Sequence, residues 1–216
     1  MSITNKILNE EIEHGVILPV SSGMVELNDY IRDVADYPTP GIMFKDITPL
    51  LGNASALALA VELMCNPFRK MNIDAVCGTE SRGFIFGTAI AQSLSCGFVP
   101  IRKAGKLPRK THSVAYGLEY GEDCIEIHTD AVQPGQRVLL VDDLLATGGT
   151  LAAACGLLKK LNADLVGITI LIELVNLNGR VKLDNGHLLM RFWRCNRLII
   201  TRGYLLLGAY NYQKVF

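Results

Sequence analysis

The chain reads as an open α/β domain, with a mostly parallel sheet of about five strands, helices on both faces and a small N-terminal appendage. Three observations predict that class. A strand, a polar loop and a helix follow one another over residues 74–94, and again over residues 138–161. Leu165–Leu174 is a long apolar run of the kind a parallel sheet buries on both faces. Finally, 216 residues, 50% hydrophobic and 19% charged, suit one well-buried domain.

The net charge is zero, so no general attraction to nucleic acid or to an anionic membrane is expected. The balance is uneven along the chain. Beyond residue 183 there are five basic residues, Arg191, Arg194, Arg197, Arg202 and Lys214, against one acid, Asp184. Six cysteines are scattered without a CxxC pair, which favours free thiols in a reducing compartment over disulfides or a zinc site. The N-terminus carries acids where a secretion signal needs an apolar run, and no stretch reaches the ~18 apolar residues of a membrane span. The expectation is a soluble cytoplasmic protein.

In chain order, residues 1–24 carry no recognisable chemistry and are taken as an N-terminal extension. Glu26–Val34 reads as a short helix. Three prolines and a glycine between Pro38 and Pro49 predict a shaped loop over most of that stretch. Ser55–Lys70 has the apolar spacing of an amphipathic helix, Asp74–Gly78 reads as a short buried strand, and a helix runs from the Thr79–Phe84 turn to about Leu94. Polar groups thus stand at a strand's C-terminal end, where open α/β sheets bind ligands. Arg82 there offers a planar donor fork, and Ser81 and Gly83 offer backbone donors.

Gly97–Ile101 is the next strand. Residues 102–110, RKAGKLPRK, hold five basic residues with Gly and Pro between them. Such a stretch makes a poor helix and a poor strand, and predicts a mobile basic loop; on charge alone a nucleic-acid patch and a solvated face are equally good readings. Cys124–His128 alternates as a strand. His112 and His128 have neither an acidic partner nor metal-ligand spacing in the sequence.

The most informative stretch is Val138–Thr150, VLLVDDLLATGGT. Four apolar residues end in Asp142 and Asp143, and the small-residue turn Ala146-Thr147-Gly148-Gly149-Thr150 leads into a helix over residues 150–161. Ala152, Ala153, Leu157, Leu158 and Leu161 are expected to face inward. Glycines admit a ligand close to the backbone, and the unpaired N–H groups opening a helix favour phosphate. Without the Lys of a Walker A sequence, a nucleoside triphosphatase is a weak reading. Two acids beside a phosphate site suit a ligand that offers hydroxyls, or a divalent metal. A sugar phosphate supplies both kinds of group.

VLLVDDLLATGGT resembles the phosphoribosyl-pyrophosphate loop of the type I phosphoribosyltransferases, and DYPTPGIMFKD, ESRG and LEYG resemble the members of that family that act on adenine. The resemblance covers about residues 25–183 and fails in the basic, aromatic tail 184–216, which contains MRFWRCNR and is expected to pack on its own domain or a partner subunit. It implies that the chain transfers the phosphoribosyl group of phosphoribosyl pyrophosphate to adenine, giving AMP and pyrophosphate. Asp142 and Asp143 would hold the ribose hydroxyls, and Ala146, Thr147, Gly148, Gly149 and Thr150 the 5′-phosphate. Ser81, Arg82, Arg102, Lys103 and Lys106 would take the pyrophosphate. A hood at about residues 35–50 would bring Met43, Phe44 and Lys45 to the base, with Leu144 on its other face. Glu119 would exchange the base proton. Magnesium would be bound mainly through substrate phosphates and ribose hydroxyls, and the protein would be a homodimer with no nucleic-acid or membrane partner. Two alternatives stay open: a relative acting on hypoxanthine, guanine or xanthine, and a non-catalytic regulator that senses phosphoribosyl pyrophosphate and binds nucleic acid.

Overall fold

The computed structural model describes residues 19–20, 23–24, 26–117, 122–183 and 188–195. The chain divides into two units, one of residues 1–59 and 198–216, the other of residues 60–197.

In the first unit β1 (Pro19–Val20) pairs antiparallel with β2 (Gly23–Met24). Where a helix was expected over Glu26–Val34, a 3-10 turn spans only Leu27–Tyr30, and β3 (Arg32–Ala35) follows. It pairs antiparallel with β4 (Met43–Asp46), with Val34 opposite Phe44. The expected loop between Pro38 and Pro49 is therefore largely a hairpin. The prolines punctuate it instead of breaking it, since Pro38 and Pro40 lie in the connection and Pro49 lies in the first turn of α1 (Thr48–Gly52), where a missing N–H costs nothing. Asp36 Oδ1 accepts the Gly41 N–H at 2.7 Å and Asp46 Oδ1 the Thr48 N–H at 2.8 Å, closing both ends of the hairpin. Phe44 meets Tyr37 edge-on, with ring centroids 5.1 Å apart. Lys45 is buried and pairs with Asp33.

The helix expected over Ser55–Lys70 is α2 (Ala54–Cys65), which gives way to a 3-10 turn at Asn66–Phe68 because Pro67 cannot continue it. The second unit then alternates β5 (Ala75–Thr79), α3 (Arg82–Leu94), β6 (Gly97–Lys103), β7 (Thr111–Gly117), β8 (Glu122–His128), β9 (Arg137–Leu145), α4 (Gly149–Lys160), β10 (Asp164–Leu174) and β11 (Leu188–Cys195). The sheet has seven strands in the order β11-β10-β9-β5-β6-β8-β7. The five from β11 to β6 are mutually parallel, and β8 and β7 extend it antiparallel. The count of about five thus matches the parallel part. The antiparallel pair adds two strands, because the basic stretch after β6 only turns the chain round and Thr111–Gly117 then pairs along β8.

One buried layer lies between α4 and the sheet. Val138, Leu140, Ile168 and Ile170 meet Leu151, Ala154, Leu157 and Leu158, all essentially inaccessible. Each such side chain contributes on the order of 1.5–3 kcal/mol by leaving water. The helix begins one residue earlier than expected, and Leu151 and Ala154 share its buried face while Ala152 is only partly covered. Burial pushes the Cys77 thiol up to about 12 and the Cys155 thiol to about 11, so both are inert core groups at neutral pH. No helix among the described residues is long and apolar enough to cross a membrane.

Parallel strands end on one edge, so the loops after β5 and β9 and the last residues of β6 open on the same side of the sheet. The segment beyond residue 183 contributes β11, which joins this sheet beside β10 in parallel register, Ile172 opposite Trp193.

Candidate active site

At that edge a cavity of about 310 Å³ is lined by Glu80, Ser81, Arg82 and all ten residues from Asp142 to Leu151. Three pieces of backbone build it. β9 carries Asp142 and Asp143 within its last four residues, still buried at 9% and 4% exposure, and ends at Leu145. The turn that follows enters α4 through Gly148, whose φ of 80° lies in the left-handed region. A Cβ on Gly148 would stand 2.3 Å from the Gly179 carbonyl oxygen, and one on Gly179 would stand 2.3 Å from the Ala146 oxygen. Only glycine fits at either position. The turn is a small-residue loop at a helix N-terminus that lines the cavity, the kind of position where unpaired N–H groups and the helix dipole favour an anion.

The acids differ in their surroundings. Asp142 Oδ1 accepts the Asp143 N–H at 2.9 Å. Asp143 faces Arg82, with Nε 2.9 Å from Oδ2. Burial, and then the negative charge of Asp143, raise the Asp142 carboxyl well above the ordinary range. Burial raises Asp143 too, against the opposing pull of Arg82.

The direction of the Asp142 shift sets a pH dependence. An unfolded aspartate ionises near ~3.9. Between that value and its raised folded value, the folded protein holds a proton that the unfolded chain has released. Stability therefore falls as pH rises through this window, and the penalty persists at neutral pH. Asp142→Asn is expected to raise Tm at pH 7, by about 2–4 °C per kcal/mol relieved, with little change near pH 3 and with loss of turnover. Calorimetry at the two pH values checks it; an unchanged or lower Tm at pH 7 contradicts the charge penalty.

A second group sits on the β6 side. Glu80 accepts from Arg102 at 3.0 and 3.3 Å and from the Lys103 N–H at 2.7 Å. The Arg102 hydrogen bond holds its carboxyl below the usual range, and Lys106 adds to the effect. Lys103 Nζ lies 3.1 Å from Asp123, which also accepts the Tyr116 hydroxyl at 3.2 Å. Arg82, Arg102 and Lys103 are thus each paired with a carboxylate and held in position.

Of the residues singled out from the sequence, Ser81, Arg82, Asp142, Asp143, Leu144, Ala146, Thr147, Gly148, Gly149 and Thr150 line the one cavity. Arg102, Lys103 and Lys106 gather about Glu80. Met43, Phe44 and Lys45 belong to β4 in the first unit. Glu119 lies outside the described residues, between the end of β7 and the start of β8. Sequence reasoning passed over Glu80 as a partner of Arg102, the Tyr116–Asp123 pair, and Gly179 behind the loop. Glu80 had a visible signal, an acid at a strand end before an arginine; the other two had none.

A glycine-rich helix start, two buried acids and a row of positioned cations lie together on the edge of an open α/β sheet, an arrangement whose chemistry fits a sugar carrying phosphoryl groups. The chain belongs to the phosphoribosyl transferase domain family, whose model matches residues 52–187. An adenine phosphoribosyltransferase of Rhodopirellula baltica is 55% identical over 163 residues, covering 76% of this chain and 79% of the relative. Among solved structures, the adenine phosphoribosyltransferase of Rhodothermus marinus is 48% identical with a TM-score of 0.75, covering 78% of this chain and 96% of that one. That of Saccharomyces cerevisiae, solved with an imino-altritol bisphosphate and adenine, is 37% identical with a TM-score of 0.73, covering 77% and 96%.

Proposed function

We propose that the chain transfers the phosphoribosyl group of phosphoribosyl pyrophosphate to adenine, forming AMP and pyrophosphate. The observation that carries this reading is the cavity itself, with the Ala146–Thr150 turn on one side and Arg82 beside Asp143 on the other. The choice of adenine rests on the relatives' names and on the yeast structure that holds that base.

In the reaction, the bond from the ribose anomeric carbon to the pyrophosphate oxygen breaks, a bond to adenine N9 forms, and the N9 proton is lost. The turn 146–150 receives the 5′-phosphate through backbone N–H groups and the Thr147 and Thr150 hydroxyls. Asp142 and Asp143 accept hydrogen bonds from the ribose hydroxyls, and their charge favours an anomeric carbon becoming cationic. Ser81, Arg82, Arg102, Lys103 and Lys106 take the departing pyrophosphate. Because the arginines already face carboxylates, binding exchanges partners instead of ordering free side chains. Glu119 removes the N9 proton, and Leu144, which lines the cavity, meets the base.

Magnesium suits this donor set. Asp142 and Asp143 present hard oxygen donors at the cavity, and substrate phosphates would supply the rest. That is the pattern for a cation shared with substrate phosphates. When bound it neutralises diphosphate charge.

Incubation with adenine, phosphoribosyl pyrophosphate and magnesium should yield AMP and pyrophosphate, and adenine should outcompete hypoxanthine, guanine and xanthine. Absence of product, or preference for an oxopurine, overturns the assignment. We infer a cytoplasmic homodimer, consistent with the unpaired thiols of Cys65, Cys77, Cys96, Cys124 and Cys155; a monomer by light scattering contradicts the assembly.

A further inference from the structure

The segment beyond residue 187 lies outside the family match, yet one of its side chains reaches back toward the site. Glu173, near the end of β10, is 3% exposed. Its Oε1 accepts from Arg180 Nε at 2.8 Å, and its Oε2 stands 2.9 Å from Arg191 Nη1 on β11. In the sheet, Glu173 lies beside Leu145 of β9, the residue before the phosphate turn. Arg180 follows Gly179, whose backbone touches that turn from behind. A Cβ on Gly179 would fall 2.3 Å from the Ala146 oxygen, 2.9 Å from the Gly148 nitrogen and 2.9 Å from Leu145 Cδ1.

We infer that Arg191 is a positioning residue for the phosphate turn: with Glu173 and Arg180 it holds the Gly179 turn against Ala146–Gly148. A buried carboxylate keeps a fixed place only while its charge is balanced, and here Oε1 accepts a hydrogen bond from Arg180 while Oε2 faces Arg191 as an ion pair. Removing Arg191 leaves Oε2 without that partner. Glu173 and the Arg180 it holds can then shift, and Gly179 shifts with Arg180. The Gly179–Gly148 contact leaves no slack, because both backbones are already at glycine-only separation, so displacement behind the turn passes into its N–H groups. A site held to within about half an ångström by such supports loses affinity when one is removed.

The inference rests on reading Ala146–Thr150 as the 5′-phosphate cradle, and ribose 5-phosphate probes both. Titration calorimetry is run on the full chain, on Arg191→Met, on the milder Arg191→Gln, on Arg191→Lys, and on Thr147→Ala combined with Gly148→Val. The parent should bind, and the turn variant should lose binding. Arg191→Met and Arg191→Gln should bind roughly 2- to 30-fold more weakly, while Arg191→Lys, which keeps the charge, should stay closer to the parent. KM for phosphoribosyl pyrophosphate should rise and KM for adenine should not. If the parent does not bind ribose 5-phosphate, the cradle reading falls and takes this inference with it. If the turn variant loses binding while both Arg191→Met and Arg191→Gln bind like the parent, the inference alone is overturned, even if their Tm is lower.

Discussion

A chain carrying Thr147→Ala and Gly148→Val should fail to bind phosphoribosyl pyrophosphate. Gly148 holds φ at 80° as the residue capping α4, and a Cβ there meets the Gly179 oxygen at 2.3 Å. Valine is β-branched and tolerates neither that backbone nor that contact. To accommodate it the turn must open, which turns the N–H groups at the start of α4 away from the cavity. Thr147→Ala removes a hydroxyl donor at the same place. Two hydrogen bonds to a charged group are worth about 1.5–3 kcal/mol each, so the affinity should fall by on the order of 10²- to 10⁴-fold. Titration calorimetry measures this, with circular dichroism to show that the sheet persists. Unchanged affinity removes the turn from the phosphate-binding role. Thr147→Ala alone leaves the backbone intact and should show a fraction of the loss.

The second large effect is expected at Glu119. If its carboxylate takes the N9 proton of adenine, Glu119→Ala should lower kcat by ~10²- to 10⁴-fold, while the affinity for phosphoribosyl pyrophosphate, which needs no proton transfer, stays near that of the parent. Single-turnover measurement with radiolabelled adenine separates the chemical step from product release. Activity within a few-fold of the parent takes Glu119 out of the acid/base role. The pair of results is diagnostic, since the turn variant loses the donor substrate and Glu119→Ala loses the chemistry.

Much of the site could be read from residues adjacent in the chain. A strand ending in two acids, a small-residue turn and a helix start are local features, and the geometry follows from backbone preferences that operate over a few residues. The same holds for ESRG after β5, and for the long apolar run that became β10. Expectations failed where local preference lost to pairing across distance. Residues 26–34 read as a helix, but Arg32–Ala35 found a partner strand in Met43–Asp46. The prolines that argued for a loop there fall outside the paired residues. The basic stretch is a loop over residues 104–110, as expected, but the strand Thr111–Gly117 that follows it and pairs with β8 was not foreseen. The tail beyond residue 183 offered no signal for β11, whose register against β10 pairs residues about 21 apart in sequence.

By itself, then, the sequence determined which groups come together: a glycine-rich turn opening a helix, two carboxylates near a strand end, and a set of cations. These lie in short segments whose conformation is dictated by near neighbours. Only the tertiary structure decided what each of those groups is held by. Asp143 faces Arg82, Glu80 takes Arg102, Asp123 joins Lys103 to Tyr116, Glu173 faces Arg180 and Arg191, and Gly179 lies against the turn. Such partners are set by strand order and register. A shift of one residue sends each side chain to the opposite face, and nothing in the spacing of two distant residues records which register the packed core selects.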